Sequence, residues 1–245
     1  MKEHLKAIAI WGSLCVLFCV VLYLSTNSIV DTFHSYNRLY MECEKDIPQV
    51  PWMILFYESY YLLIFLSIVL VKSPQSIRSL SITMMVSSAI ACTIFLLFPG
   101  EMGFSRTENI QGFESLFEAL HTIDKPHNLY PSLHITFSSI SAFTLIKQTK
   151  QKLFHALLIL WVIMISLSVI LTHQHHLFDI ATGFILAWIT LKFVYIKLES
   201  AKQWLANELT VVDLFLDYFE RLDLSIKDVY SFWKLTHFNK RSVPF

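Results

Sequence analysis

Six long apolar stretches constrain this sequence more than any other feature. A helix needs about 20 mostly apolar residues to cross the roughly 30 Å hydrocarbon core of a bilayer. An amphipathic soluble helix would show polar residues at a spacing of about 3.6, and these stretches do not. They cover residues 7–24, 51–71, 82–99, 131–146, 153–172 and 177–198. The sequence therefore predicts an all-α, polytopic membrane protein with six transmembrane helices.

The composition agrees with a membrane protein and argues against a nucleic-acid partner. Hydrophobic residues make up 55% of the chain and charged residues only 16%, whereas soluble domains usually carry about 25% charged residues. The 19 basic residues are balanced by 19 acidic ones. No basic surface of the kind that binds nucleic acid is therefore expected.

The basic residues predict the orientation of the chain in the membrane. Fifteen of the 19 Lys and Arg residues fall on the side that holds both termini, and four fall on the other side. Because positive charge is enriched on the cytoplasmic side, we expect both termini to be cytoplasmic. The connectors at about 25–50, 100–130 and 173–176 would then face outward, to the periplasmic, extracellular or lumenal side.

The C-terminal region differs from the rest of the chain. We expect a membrane catalytic domain over residues 1–198 and a cytoplasmic helical tail over residues 199–245. The tail carries an apolar stripe at helical spacing, formed by Leu205, Leu209, Val212, Leu216 and Phe219. This stripe predicts an amphipathic helix that lies on the membrane surface or packs against the bundle. A short dimerising coiled coil is the alternative.

A short polar motif, Tyr-Pro-Ser-Leu-His, opens the fourth apolar stretch at residues 130–134. Proline is favoured at the first position of a helix. The free N–H groups of a first turn, together with the positive end of the helix dipole, attract phosphate. Ser132 adds a hydroxyl donor and His134 projects from the same turn. The motif also fits a simple helix start with a histidine at the level of the lipid headgroups.

A second polar motif, Thr-His-Gln-His-His-Leu-Phe-Asp, lies at residues 172–179, between the last two stretches. His175 and Asp179 are four residues apart, which on a helix places them on one face. An acid beside an apolar stretch is costly and needs a partner, and His175 is the nearest candidate. A carboxylate on one imidazole nitrogen leaves the other free as base or nucleophile. A polar pair that only joins two helices is the alternative.

Two basic residues on the expected outer side are candidates for phosphate binding. Arg106 follows the third stretch, and a guanidinium group matches the oxygens of a phosphate. Lys125 lies in the same connector, shortly before the fourth stretch. Either residue also fits a solvated loop charge or a contact to a lipid headgroup.

Together, these motifs resemble the phosphatidic acid phosphatase type 2 superfamily over roughly residues 98–183. The resemblance implies a six-helix membrane fold and metal-independent phosphoryl transfer, without a cofactor, through a phosphohistidine. It implies that His175 is the nucleophile, that Asp179 orients it and that His134 protonates the leaving oxygen. Ser132 and the Leu133 amide would hold phosphate oxygens, and Ser168 matches the serine that opens the third family motif.

The sequence departs from the family pattern at several positions. Leu133 replaces a glycine of the second motif, and Val169 replaces the arginine of the third. The first motif is incomplete, because Arg106 is followed by Thr107 instead of proline. Lys125 and His173 are the candidates to replace the missing cations. The pattern looks closer to the branch that contains inositol phosphorylceramide synthases.

These observations lead us to expect a lipid phosphatase that acts on lipid phosphates at the outer leaflet. A phosphotransferase that passes a lipid headgroup to an alcohol is the main alternative. The histidines at 173–176 also allow a metal-dependent hydrolase, with zinc held by His173, His175 and either His134 or Asp179. A transporter that uses Asp179 to couple an ion is the remaining alternative.

Overall fold

The computed structural model describes residues 2–106, 110 and 112–205. Within these residues the structure is helical and contains no β-strand, apart from an isolated bridge between Asn37 and Gly100. Single π-helical turns join α1 to α2 and α8 to α9. The α-helices are α1 Lys2–Ala7, α2 Ser13–Val30, α3 Ile54–Leu70, α4 Pro74–Leu97, α5 Glu114–Ile123, α6 Leu133–Ile146, α7 Lys152–Leu171, α8 Leu177–Thr190 and α9 Ile196–Leu205.

The chain divides into two units between Glu199 and Ser200. The first unit contains helices α1 to α8. The assignment of residues 1–198 as a catalytic domain and 199–245 as a tail stays a prediction. The apolar stripe of the tail lies outside the described residues beyond Leu205.

Five helical segments of the described residues are long and apolar enough to cross a membrane. They are Lys2–Val30, Pro51–Leu70, Pro74–Leu97, Lys152–Leu171 and Leu177–Ala201. Large apolar side chains are exposed on these segments, as expected for helices that face lipid. The segments account for five of the six expected spans.

The remaining expected span, the fourth apolar stretch at residues 131–146, is a shorter helix than the sequence predicts. Helix α6 has only 14 residues, which gives a length of about 21 Å and falls short of the hydrocarbon thickness. It packs against α3, α4, α7 and α8, and Ile135 and Ile140 are fully buried. Because protein surrounds α6, its length is not set by contact with lipid.

The third spanning helix begins earlier than its apolar stretch. The sequence placed this stretch at residues 82–99, whereas α4 begins at Pro74. The Ser73 side chain accepts a hydrogen bond from the Ser76 amide and caps the helix, and proline follows at the first helical position. Serines and Arg78 lower the hydropathy of this first part, so the apolar pattern alone missed it.

Helices α6 and α8 approach each other closely at Gly183. A Cβ atom on this residue would lie 2.8 Å from the Ser132 carbonyl oxygen and 3.0 Å from Ile135 Cβ. The Thr136 hydroxyl crosses the same contact and donates to the Gly183 carbonyl at 3.0 Å. Only glycine fits here without displacing one helix, so this contact fixes the starts of both helices relative to each other.

We predict that Gly183→Ala destabilises the bundle by about 1–3 kcal/mol, because the added methyl group meets backbone and cannot be accommodated. Gly12→Ala is the matched control, since its Cβ would meet only Ile68 Cγ2 at an ordinary 3.5 Å. Denaturant titration of the purified variants measures both effects. Equal stability of the two variants would contradict the close contact.

Candidate active site

His175 and Asp179 lie together where α7 gives way to α8. The chain leaves α7 after Leu171, and the amide of His175 donates to the Val169 carbonyl at 2.9 Å. His175 Nδ1 is 3.3 Å from Asp179 Oδ2, and both side chains are almost completely buried. The pair therefore has the geometry of an imidazole that is oriented by a carboxylate.

The reason for this closeness differs from the one that the sequence suggested. His175 is not helical, because α8 begins at Leu177, so the two residues do not share a helix face. Instead, Asp179 is the third residue of α8, and its carboxylate accepts from the His176 amide at 2.8 Å. This capping bond turns the carboxylate back toward His175.

His134 faces the same pair from the start of α6. Its ring centroid is 5.6 Å from that of His175, with an interplanar angle of 63°. The ring also packs against Tyr57 and Tyr60 of α3, with centroid distances of 4.4 and 4.3 Å. No described residue forms a hydrogen bond with either ring nitrogen of His134. The structure thus brings His134, His175 and Asp179 together, while their chemical roles stay predictions.

The N-terminal ends of α6 and α8 meet beside these side chains. The Ser132 amide donates to the Asp179 carbonyl at 3.1 Å. Helix α6 begins at Leu133, two residues after Pro131, so proline does not take the expected first helical position. The first amides of each helix have no intrahelical partner, and the helix dipoles add positive potential. Two helix starts at one place form an attractive position for an anion.

Ser132 contributes a buried hydroxyl at this position. Its side chain is fully buried, and its Oγ has no hydrogen-bond partner among the described residues. Ser168 is also buried, but its hydroxyl donates to the Ile165 carbonyl of its own helix at 2.7 Å. The phosphate-binding role of Ser132 and of the Leu133 amide stays a prediction, while the Ser168 hydroxyl is bonded within its own helix.

Arg106 lies near the site but uses its terminal nitrogens on backbone. Its Nη1 donates to the His121 carbonyl at 3.2 Å, and its Nη2 donates to the Asp124 carbonyl. Its Nε is buried without a hydrogen-bond partner among the described residues. Burial lowers the pKa of Arg106, and Tyr57 and Asp31 partly offset this effect. The guanidinium links two carbonyls of the connector between α4 and α6 to Arg106, and a phosphate would have to compete for its donors.

The two other expected cations do not contact the histidine pair. The His173 Nε2 is 2.9 Å from the Ile47 carbonyl, and its ring stacks on Phe104 at 4.1 Å. Burial also lowers the pKa of His173, which disfavours its charged form. Lys125 forms no ion pair with any residue in the part of the chain that the structure describes. The structure gives neither residue a contact with His134 or His175.

A further carboxylate lies close to the site, and the sequence gave no indication of it. Asp124 follows α5, and its side chain accepts hydrogen bonds from the hydroxyl groups of Tyr23 and Tyr57. Burial raises the pKa of Asp124 to about 6, and the nearby His175 acts in the opposite direction. Asp124 is thus a partly buried acid that interacts with both tyrosine hydroxyls and His175.

The comparison with known families matches this part of the chain. A family model described as the PAP2 superfamily matches residues 45–193, which include His134, His175 and Asp179. The match covers more than half of the chain. This chain belongs to the PAP2 superfamily. Membership supports an activity of the phosphatase or phosphotransferase type. No curated protein matches the sequence.

A second buried imidazole–carboxylate pair lies next to the residues of this PAP2 site and holds them in place. His176 Nδ1 is 3.2 Å from Glu44 Oε2, and both side chains are 2% exposed. The Gly103 amide donates to His176 Nε2 at 3.0 Å, so the proton of the neutral ring lies on Nδ1. Glu44 also accepts from the Leu177 amide at the start of α8. The pair fixes the segment that carries His175.

Stacked rings hold the loops that carry Tyr40 and Phe104 against this segment. Tyr40 stacks on His176 with a centroid distance of 4.7 Å, and Phe104 stacks on the same ring at 4.5 Å. Phe104 also stacks on His173, so four rings from three segments form one column. A Cβ atom on Gly103 would lie 2.8 Å from the Tyr40 ring. The sequence cluster of histidines is therefore largely explained by packing.

These contacts bear on the zinc alternative. No group of three or more His, Cys, Asp or Glu side chains suited to a metal ion occurs among the described residues. Both nitrogens of His176 are hydrogen-bonded, and the Nε2 of His173 is bonded to a backbone carbonyl. The three-ligand set considered from the sequence is therefore not assembled among the described residues.

We predict that Glu44→Ala destabilises the protein by at least about 2 kcal/mol, because it leaves the buried His176 donor and the partly buried Met41 and Leu177 amides without an acceptor. Glu44→Gln retains one oxygen and should lose less. Denaturant titration of both variants measures the difference. Wild-type stability of Glu44→Ala would contradict the proposed role of this carboxylate.

Proposed function

We propose that this PAP2 protein transfers phosphoryl groups from lipid phosphate esters through a covalent intermediate on His175. One observation carries the proposal. The Nδ1 of His175 faces Asp179, its Nε2 has no hydrogen bond to any described residue, and a second imidazole lies 5.6 Å away. One oriented nucleophile and one proton donor are the two groups that this reaction requires.

In the first step, neutral His175 attacks phosphorus through Nε2 while the bond from phosphorus to the leaving oxygen breaks. His134, as an imidazolium, gives its proton to that oxygen, and the lipid alcohol leaves. Positive charge on the phosphorylated imidazole is stabilised by Asp179. In the second step, neutral His134 removes a proton from the incoming water or alcohol, whose oxygen attacks phosphorus and frees His175.

Negative charge on the transferring phosphoryl group would be met by the starts of α6 and α8. The Leu133 amide, the Ser132 hydroxyl and the two helix dipoles lie at this place. Arg106 supplies positive charge nearby, although its terminal nitrogens bind carbonyls in this structure. The proposed chemistry needs no metal ion or cofactor.

A lipid is the proposed substrate class because the site lies at one end of an apolar helical bundle. The helices that present its groups are flanked by segments long and apolar enough to cross a membrane. With cytoplasmic termini, as the basic residues suggest, the site would act on lipids of the outer leaflet. Water as the acceptor makes the protein a lipid phosphatase.

A headgroup phosphotransferase is the second candidate, and it is favoured by the hydrogen bonds that Arg106 already makes to backbone carbonyls. A phosphate monoester carries close to two negative charges near neutral pH, whereas a phosphodiester carries one. With Arg106 engaged and Val169 in place of the family arginine, few cations are available to a dianion. A phosphodiester lipid and an alcohol acceptor, as in inositol phosphorylceramide synthases, suit this weaker cationic field.

We predict that purified protein in nanodiscs converts a lipid phosphate ester in the presence of EDTA. The substrates to be tested are lipid phosphate monoesters and phosphodiester lipids, each with and without acceptor alcohols. Release of inorganic phosphate indicates a phosphatase, and a new phosphodiester indicates a transferase. His175→Ala should lower turnover by about 10³-fold or more, because it removes the nucleophile.

His155→Ala is the matched control, since His155 lies on α7 and bonds to the Thr149 carbonyl in the connector before that helix. It should retain turnover. Unchanged activity of purified His175→Ala would overturn the proposed mechanism. Activity that requires a divalent metal would favour the metal-dependent hydrolase instead.

A further inference from the structure

Asp124 joins three parts of the chain beside the proposed reaction centre. Its carboxylate accepts from Tyr23 of α2 and, at 3.1 Å, from Tyr57 of α3. Its amide donates to the Leu120 carbonyl at the end of α5, and its carbonyl accepts from Arg106. With backbone and side chain both bonded, the carboxylate is held in one position.

Tyr57 connects this carboxylate to His134. The Tyr57 side chain is 1% exposed, and its ring lies 4.4 Å from the His134 ring. Its hydroxyl has one hydrogen-bond partner among the described residues, which is Asp124. The tyrosine ring is therefore fixed at one end by the carboxylate and packs against the histidine ring at an interplanar angle of 39°.

His134 depends on such contacts because no described residue forms a hydrogen bond with its ring. Tyr57, Tyr60 and His175 surround the ring at centroid distances of 4.3 to 5.6 Å. A general acid must point a ring nitrogen at the leaving oxygen, and small errors of position are costly in rate. The packing of Tyr57 is thus one of the few features that sets the angle of His134.

From these contacts we infer that Asp124 is a positioning residue, which acts through the Tyr57 hydroxyl to hold the His134 ring in its orientation toward His175. The inference rests on the proposed function for its catalytic meaning. Neither the sequence motifs nor the family match gives Asp124 a role. Its effect on the His134 ring, however, is a property of the protein without substrate.

The charged and titratable groups around Asp124 allow a test by pH. Tyr23 faces it from α2, Tyr57 from α3 and Arg106 from the outer connector, while His175 interacts with it across the site. Burial raises the pKa of Asp124 to about 6. Below that pH the carboxyl is neutral and binds the Tyr57 hydroxyl more weakly, so the hold on His134 loosens on the acid side.

The experiment compares Asp124→Asn, Tyr57→Phe and the double variant with wild type. Each change is nearly isosteric and acts on the same hydrogen bond. Tyr57→Phe removes the donor, and Asp124→Asn replaces the charged acceptor with a neutral amide oxygen, which accepts more weakly. We expect each single variant to lower kcat by roughly 10- to 100-fold with little change in KM, since binding groups are untouched. The double variant should lose no more than the worse single variant, because both act through one contact.

A second readout does not need turnover. NMR of histidine-labelled protein should show the His134 ring signals moved in Asp124→Asn and Tyr57→Phe. In wild type these signals should show a step with a midpoint near pH 6 that follows the titration of Asp124, and in Asp124→Asn this step should vanish. Tyr36→Phe is the control, because the Tyr36 hydroxyl bonds to the Phe33 carbonyl away from the pair.

The two readouts separate the inference from the proposed function. Moved His134 signals support the positioning role even if no lipid phosphate is converted, in which case the proposed function alone fails. Unmoved His134 signals in both single variants overturn the positioning role, whatever the activity. Losses of kcat that multiply in the double variant also overturn it, because they show separate actions.

Discussion

The Asp179 carboxylate performs two tasks with the same oxygen. Its Oδ2 accepts from the His176 amide at the start of α8 and lies 3.3 Å from Nδ1 of His175. As the third residue of the helix, it satisfies an amide that would otherwise be unpaired and lies at the positive end of the dipole. A buried negative charge is thereby stabilised beside an apolar helix. The beginning of α8 and the orientation of His175 cannot be changed independently.

The second constraint is the close packing of two helix starts. Gly183 lets α8 approach the Ser132 carbonyl, and the Ser132 amide reaches the Asp179 carbonyl. The His176 and Leu177 amides at the start of α8 already donate to the Asp179 and Glu44 carboxylates. The first amides of α6 have no intrahelical partner, so they are the donors that remain for an anion. The short α6 suits this arrangement, because protein surrounds the helix and its first turn lies inside the bundle instead of in lipid.

Much of the fold and of the candidate site could be predicted from the sequence, because these features depend on residues that lie close together in the chain. Apolar runs predicted the helices, and the spacing of His175 and Asp179 predicted their contact, although capping and not a shared helix face explains it. The family resemblance depended on the same short motifs. The length of α6 could not be predicted, because it depends on which helices surround it.

The supporting groups were missed because their partners are distant in sequence. Glu44 meets His176 across 132 positions, and Asp124 meets Tyr57 across 67. One signal was available at the C-terminal end of α2. Tyr23 and Asn27 of the helix and Asp31, which follows it, repeat at intervals of four, and all contact residues 123–128. The engagement of Arg106 by two carbonyls has no such signal, since backbone acceptors leave no trace in a sequence.

The stereochemical course of transfer tests the central claim most directly. A phosphate ester made chiral with oxygen isotopes is incubated with the protein and an acceptor alcohol, and the configuration of the product is determined. A covalent intermediate on His175 requires two displacements at phosphorus, each with inversion. The account predicts net retention of configuration, and net inversion would show direct attack by the acceptor and contradict it.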